Sequence, residues 1–288
     1  MKVPVTIVVP VLNEAPNLPR CLKSVSWAEE IYVVDSKSLD GTTDIVKLHG
    51  AKIAQFDYKG GYPKKKNWAL ENIKFSHEWV LFLDADEVFS SDAEKEIMEI
   101  CTTNTRGFDG YFINRRFLFM GKWLKHAYYP NWNLRLFKHK LGRYEKITDA
   151  QTDSGDVEIH EHVVLNGKAG YLLSRLDHYA FPTVEAFVTK HNRYSNWEAK
   201  VELSRSLNNI TQPFASKEFN LRRKLKILSK HLPFRPTLRF IYVYILQRGF
   251  LDGKEGYYFA RLHAFYEFLC VCKEYELRKL YLGRNSKT

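Results

Sequence analysis

A run of five apolar residues, Trp79-Val80-Leu81-Phe82-Leu83, ends in Asp84-Ala85-Asp86. Five buried-type side chains in a row leave no face for water. The run therefore reads as a central strand covered on both sides, as in an α/β layer structure. Open α/β sheets bind ligands in the crevice at the carboxyl ends of their strands. Two carboxylates there are hard oxygen ligands suited to Mg²⁺ or Mn²⁺ held against phosphates. Taken alone, Asp-x-Asp is equally an acidic turn, so its surroundings decide.

Those surroundings repeat the pattern. Residues 3–10 (VPVTIVVP) and 31–35 (IYVVD) read as further buried strands, and 52–56 as a short third strand before the run at 79–83. Helical spacing lies between them at 17–24, 42–49 and 63–72, and again at 92–101. Strand–helix–strand alternation at this interval implies right-handed crossovers and a mostly parallel central sheet flanked by helices. Beyond Tyr111 the pattern changes. Short strands are expected at 111–116, 133–138 and 157–165, then a long helix at 183–207. A helical, basic C-terminal extension follows, broken at Pro233, Pro236 and Gly253. The expected division is an α/β domain over 1–210, in two halves at 1–110 and 111–210, and a helical extension over 211–288.

In a parallel sheet, the loops after these strands open on one edge. They carry Pro10-Val11-Leu12-Asn13-Glu14, then Asp35 to Thr42, then Gly60-Gly61-Tyr62-Pro63-Lys64-Lys65-Lys66-Asn67, and finally Asp84-Ala85-Asp86-Glu87. A carboxylate such as Asp35 can accept the imide N–H of a uracil, Asn13 or Glu14 can hold base or ribose, and Lys66 can balance a diphosphate. Together and in this order, they describe a nucleotide site with a divalent cation.

The stretches TIVVPVLNEAPNL, IYVVDSKSLDGTTDI, KKKNWAL and VLFLDADE resemble the family 2 glycosyltransferases of the GT-A fold. The later blocks IHEHV (159–163), LDHYAF (176–181) and KHNRYSNWEA (190–199) are similar to the lipopolysaccharide core β-1,4-glucosyltransferase branch. The resemblance implies a Rossmann-like nucleotide-binding domain and a UDP-sugar donor. It gives Asp86 the metal and places Asp84 nearer the ribose or the metal's waters. An inverting transferase also needs a carboxylate to deprotonate the acceptor hydroxyl, and the resemblance assigns that base to Glu161. The family often has a Glu-Asp pair there; here the motif is His160-Glu161-His162. In an extended segment the two histidines point to one side and Glu161 to the other. The expected reaction is hexose transfer, glucose by the subfamily, to a glycan or glycolipid acceptor of lipopolysaccharide core or exopolysaccharide.

His160 and His162 with His178 could supply three zinc nitrogens, but a zinc hydrolase leaves the four phosphate-type loops unexplained. His178 reads as a third ligand of the divalent ion, a diphosphate contact or a structural histidine. Asn192, Arg193 and Tyr194 could address the acceptor, as could His160; a packed helix face is the plainer alternative for the first three.

The chain has 288 residues and a formal charge of +11, which calls for an anionic partner. Its cations are dense between Lys217 and Arg239, just before the apolar Phe240 to Leu246. Basic, aromatic helices of this kind suit an anionic membrane surface; the alternative is packing on the catalytic domain or on a second subunit, as in a homo-oligomer. Nucleic acid is not expected, because no helix-turn-helix, zinc-finger or RNP signature accompanies the charge. A nucleotidyltransferase would share the sheet and the carboxylates, yet would show a Gly-rich basic loop where this chain has Val-Leu-Asn-Glu. Cys21, Cys101, Cys270 and Cys272 lack metal or redox spacing and read as buried or free thiols. With no N-terminal signal and no long apolar run, the expected place is the cytoplasm, with attachment to the inner face of the membrane.

Overall fold

A computed structural model describes residues 1–146, 161–208, 232 and 234–285. His160, the first part of the strand expected at 157–165, Pro233 and the cations from Lys217 to Lys230 lie outside the described residues. The chain forms two compact units. One comprises Met1–Phe117, Pro130–Glu145 and Asp156–Ala180; the other comprises Leu118–Tyr129, Lys146–Gly155 and Phe181–Thr288.

The first unit begins as the alternation demands: β1 (Val3–Val11), α1 (Leu18–Ser24), β2 (Ala28–Asp35), α2 (Thr42–Leu48), β3 (Lys52–Gln55), α3 (Lys65–Asn72) and β4 (Trp79–Phe82). These strands lie in the order β3-β2-β1-β4, every neighbouring pair parallel. Val5, Ile7, Val9, Val33, Leu81 and Leu83 are fully buried and join Leu18, Leu22 and Ile97 in one core. β4 is buried at all four positions, as a strand covered on both faces must be.

The sheet then continues with antiparallel strands. β5 (Glu87–Phe89) and α4 (Ala93–Thr102) precede β6 (Gly110–Phe119), β8 (Asn131–Lys138), the short β9 (Gly142–Tyr144) and β10 (Val163–Leu165), and β11 (Ala169–Phe181). The full order is β3-β2-β1-β4-β8-β6-β11-β5, with β4–β8, β6–β8 and β5–β11 antiparallel. β9 and β10 pair separately. β11 had no counterpart in the sequence reading. Its first ten residues alternate buried and outward positions strictly, so polar Ser174, Arg175 and Asp177 interrupt what would otherwise read as an apolar run.

The second unit contains the hairpin strand β7 (Lys122–Trp123), which pairs with the end of β6, and helices α5 (Val184–Asn208), α6 (Arg235–Ile241) and α7 (Gly253–Asn285). Thr183 Oγ1 accepts from the Ala186 N–H at 3.0 Å and caps α5. Pro236, expected as a break, stands in the first turn of α6, where a missing N–H costs nothing. One π-helical turn, Tyr242–Leu246, and one 3-10 turn, Gly249–Asp252, link α6 to α7. The carboxylate of Asp252 accepts from the backbone N–H groups of Lys125, His126 and Ala127 at 2.9, 2.9 and 2.7 Å. It thereby ties the loop after β7 to the start of α7. Among the described residues, no helix is long and apolar enough to cross a membrane.

Candidate active site

Because β1 to β4 are parallel, the loops after them share the carboxyl edge. Asn13 adopts a left-handed φ of 56°, which asparagine tolerates. Its N–H donates to Ser38 Oγ at 2.8 Å and its Oδ1 accepts from the Leu39 N–H at 2.9 Å, joining the loops after β1 and β2. Glu14 adds to this seam through its N–H, 3.0 Å from Thr42 Oγ1, and its Oε2 accepts from Asn17 Nδ2 at 2.9 Å. Pro10 sits in β1 opposite Val34. Asp35 is buried; Ser38 Oγ donates to Oδ1 at 2.5 Å and Gln55 Nε2 to Oδ2 at 3.1 Å. As folded, that carboxylate braces its own loop.

Three successive lysines at the start of α3 fan out to three loops. Lys64 reaches the Tyr58 hydroxyl after β3, and Lys65 Nζ donates to the Val11 carbonyl at the end of β1 at 2.6 Å. Lys66 Nζ lies 4.0 Å from Asp84 Oδ1 and 5.0 Å over the Tyr144 ring. The next residue, Asn67, is fully buried and exchanges two hydrogen bonds with the Tyr144 backbone, at 2.9 and 3.0 Å. Glu145 then accepts from the His162 N–H at 3.2 Å, and the Glu145 N–H donates to the His162 carbonyl at 2.9 Å. This chain of contacts links the start of α3 to His162, the residue after Glu161.

The Asp-x-Asp loop rests on a buried charge network that sequence reading missed. Arg135 Nη2 donates to Asp84 Oδ2 at 2.6 Å and to Glu87 Oε1 at 3.4 Å. Arg115 Nη1 donates to Glu87 Oε1 at 3.1 Å and lies 4.0 Å from Asp84 Oδ2. Glu87 also accepts from the Asp84 N–H at 3.0 Å, which closes the turn. Burial by itself would raise the Asp84 carboxyl, but the charges of Arg135, Lys66 and Arg115 outweigh it and hold it well below the usual carboxylate range. A signal did exist: Arg115 stands between Ile113 and Phe117, and Arg135 between Leu134 and Leu136, in strand-forming stretches where a buried charge requires a partner.

Asp86 and His178 converge. Asp86 Oδ1 is 3.1 Å from His178 Nε2, and the Asp86 carbonyl accepts from the Tyr179 N–H at 2.8 Å. Ligands at about 2.1 Å in octahedral array stand about 3 Å apart, so this pair has the bite of two adjacent ligands of Mg²⁺ or Mn²⁺. Among the described residues His178 Nδ1, buried against the Phe117 ring, has no hydrogen-bond partner, whereas a metal-bound histidine usually has an outer acceptor. Among the described residues, no group of three or more His, Cys, Asp or Glu side chains forms a cage. A carboxylate and an imidazole at this separation could hold a transition-type divalent ion such as Mn²⁺, with water and phosphate completing the shell.

The remaining candidates belong to the second unit. Asn192 accepts from Lys273 Nζ through its carbonyl at 2.9 Å and Oδ1 at 2.6 Å, so it fastens α5 to α7. Arg193 is exposed, and Tyr194 packs edge-on to His191. The four cysteines are unbridged, with Cys21 and Cys270 buried.

Residues 6–155 match the profile described as glycosyl transferase family 2, which is more than half the chain. The chain belongs to this family. It is 27% identical over 267 residues to an uncharacterized glycosyltransferase of Rickettsia prowazekii, covering 91% of this chain and 83% of that one. It is 26% identical over 289 residues to the lipopolysaccharide core biosynthesis glycosyltransferase LpsC of Rhizobium meliloti, covering 97% and 94%. Among solved structures, S. aureus TarS 1-349 in complex with UDP-GlcNAc aligns over 97% of this chain and 92% of that one, at 14% identity and a TM-score of 0.45. A likeness of that degree says nothing about ligands. The protein is thus a family 2 glycosyltransferase with a mixed α/β fold.

Proposed function

We propose that this glycosyltransferase is inverting and metal-dependent, and that it moves a hexose, glucose first among them, from a UDP-sugar to a saccharide or lipid-linked saccharide of lipopolysaccharide core or exopolysaccharide. The observation that carries this reading is the pairing of Asp86 Oδ1 with His178 Nε2 at 3.1 Å, beside an Asp84 held ionised at the carboxyl edge of parallel strands. Family membership supports the transfer reaction, and the name of LpsC supports the acceptor class.

In this reading Asp86 and His178 hold the divalent ion, which when bound offsets charge on the diphosphate. Asp84, anchored by Arg135, accepts from the ribose hydroxyls or the ion's waters. Asn13 and Glu14 shape the nucleoside slot with Pro10, and Asp35, which already accepts from Ser38 and Gln55, has acceptor capacity left for a uracil imide. Glu161 takes the proton of the acceptor hydroxyl as its oxygen bonds to the anomeric carbon. The bond from that carbon to the diphosphate oxygen breaks on the opposite face, and the electron pair leaves with UDP. Lys66, 4.0 Å from Asp84, offsets the charge that develops there. His160, Arg193 and Tyr194 remain candidates for acceptor contacts.

Calorimetric titration with a nucleotide-sugar panel, in Mn²⁺ and in EDTA, tests the reading. One UDP-sugar should bind, and both chelation and Asp86→Ala should abolish it. Glu161→Gln should bind that donor normally and lose turnover. Unchanged metal-dependent binding in Asp86→Ala, or near-normal turnover in Glu161→Gln, would remove those residues from their roles.

A further inference from the structure

Helix α7 buries one side in the second unit, where Phe259, His263 and Cys270 are enclosed. Its other side is apolar as well. At 3.6 residues per turn, Tyr257, Tyr258, Phe265, Phe268 and Tyr275 fall in one stripe about 100° wide, and all five are exposed, from 41% at Tyr257 to 69% at Tyr275. A surface helix normally turns its polar face to water; this one presents rings. The stripe continues beyond the helix through ring contacts. Tyr257 meets Phe240 at 6.0 Å and Tyr244 at 5.7 Å, and Tyr244 meets Phe250 at 6.3 Å. On the same π-helical turn Ile245 and Leu246 are 50% and 70% exposed. Contiguous apolar exposure on this scale marks an interaction surface.

Charge identifies the occupant. The α7 stripe interleaves its rings with the exposed cations Lys254, Arg261 and Lys279, against one carboxylate, Glu276, and Arg248 is exposed beside the π-helical turn. Of the cations that sequence reading favoured, the two among the described residues are used differently: Arg235 pairs with Glu267 at 2.8 Å, and the Arg239 guanidinium lies 5.5 Å over the Tyr128 ring. A second copy of this chain would set the same cations against each other, on molecules that each carry +11. An anionic lipid surface offers the complement, with rings at headgroup depth and ammonium and guanidinium groups at the phosphates.

We propose that the outer stripe of α7, with the turn at Tyr242–Leu246, docks flat on an anionic bilayer surface. This membrane contact is independent of the donor site, so either can fail alone. The probe is co-sedimentation of the full chain with phosphatidylcholine vesicles and with vesicles containing about 30% phosphatidylglycerol, at low and high salt. Wild type should bind the anionic vesicles at low salt and be weakened by high salt. Phe265→Ser with Phe268→Ser should weaken that binding by about tenfold or more, and Lys254→Glu with Arg261→Glu should do the same. Each variant should keep the wild-type circular dichroism spectrum and melting temperature within about 3 °C, a shift of about 1 kcal/mol. No vesicle binding by wild type would overturn the proposal. So would binding unaffected by both variants, or a wild-type dimer in light scattering that both variants dissociate.

Discussion

Replacing Arg135 with methionine removes the guanidinium under the Asp-x-Asp loop while keeping most of the stem that packs there. Arg135 Nη2 is 2.6 Å from Asp84 Oδ2 and 3.4 Å from Glu87 Oε1, and the Glu87 side chain has no exposed surface. Deleting one partner of a buried pair costs about 3–5 kcal/mol, because the charge left behind stays desolvated. Arg115 remains 3.1 Å from Glu87 and 4.0 Å from Asp84, so the lower end, about 3 kcal/mol, applies. That lowers the melting temperature by roughly 6–12 °C for a protein of this size. The loss has a pH signature. Asp84 is held below its unfolded value, so its stabilisation is present above that value and disappears as pH falls through the folded one. The gap between wild type and variant should therefore be widest near neutrality and narrow in acid. Scanning fluorimetry and urea unfolding across pH would read both effects. Adding Glu87→Gln to Arg135→Met should recover about 1 kcal/mol or more, since Arg115 otherwise faces both Glu87 and Asp84 and the change removes one of the two carboxylates. A melting temperature lowered by less than about 2 °C, with no recovery in the double variant, would refute the reasoning.

Two further outcomes test the scaffold. Burial tends to raise the Glu30 carboxyl, but hydrogen bonds from Lys52, Thr6 and Ser76 bring it down to about 2. Against an ordinary value near 4.3, that is about 3 kcal/mol of stability, present above about pH 4 and lost as pH falls towards 2; Glu30→Gln should flatten this acid limb in unfolding experiments. Asp252→Ala strands three backbone N–H groups of the loop after β7, so hydrogen exchange at Lys125 to Ala127 should rise about tenfold or more while amides of β1 and β4 keep their protection.

The order of strands and helices through β4 was legible because each element is specified locally: continuous apolar runs, helical spacing between them, and polar loops where the runs stop. The same locality made Asp84 and Asp86 readable after a strand, and the lysines at 64–66 readable at the start of a helix, on one edge. In contrast, β11 lay hidden by its alternation of Ser174, Arg175 and Asp177 with apolar neighbours. His178 was read from its motif, yet only β11 running antiparallel to β5, with His178 opposite Glu87, sets its ring against Asp86.

The sequence by itself thus determined the parallel half of the sheet and the placing of two carboxylates at its carboxyl edge, since periodicity and burial pattern are properties of short segments. Only the tertiary structure decided what those carboxylates face. The partners of Asp84 and Glu87 come from β6 and β8, 28 to 51 residues away, and no local rule pairs charges across such distances. The same holds for the aromatic face of α7. Composition shows rings and cations together, but which of them are enclosed and which are left to the solvent follows from how α5 and α6 pack on that helix.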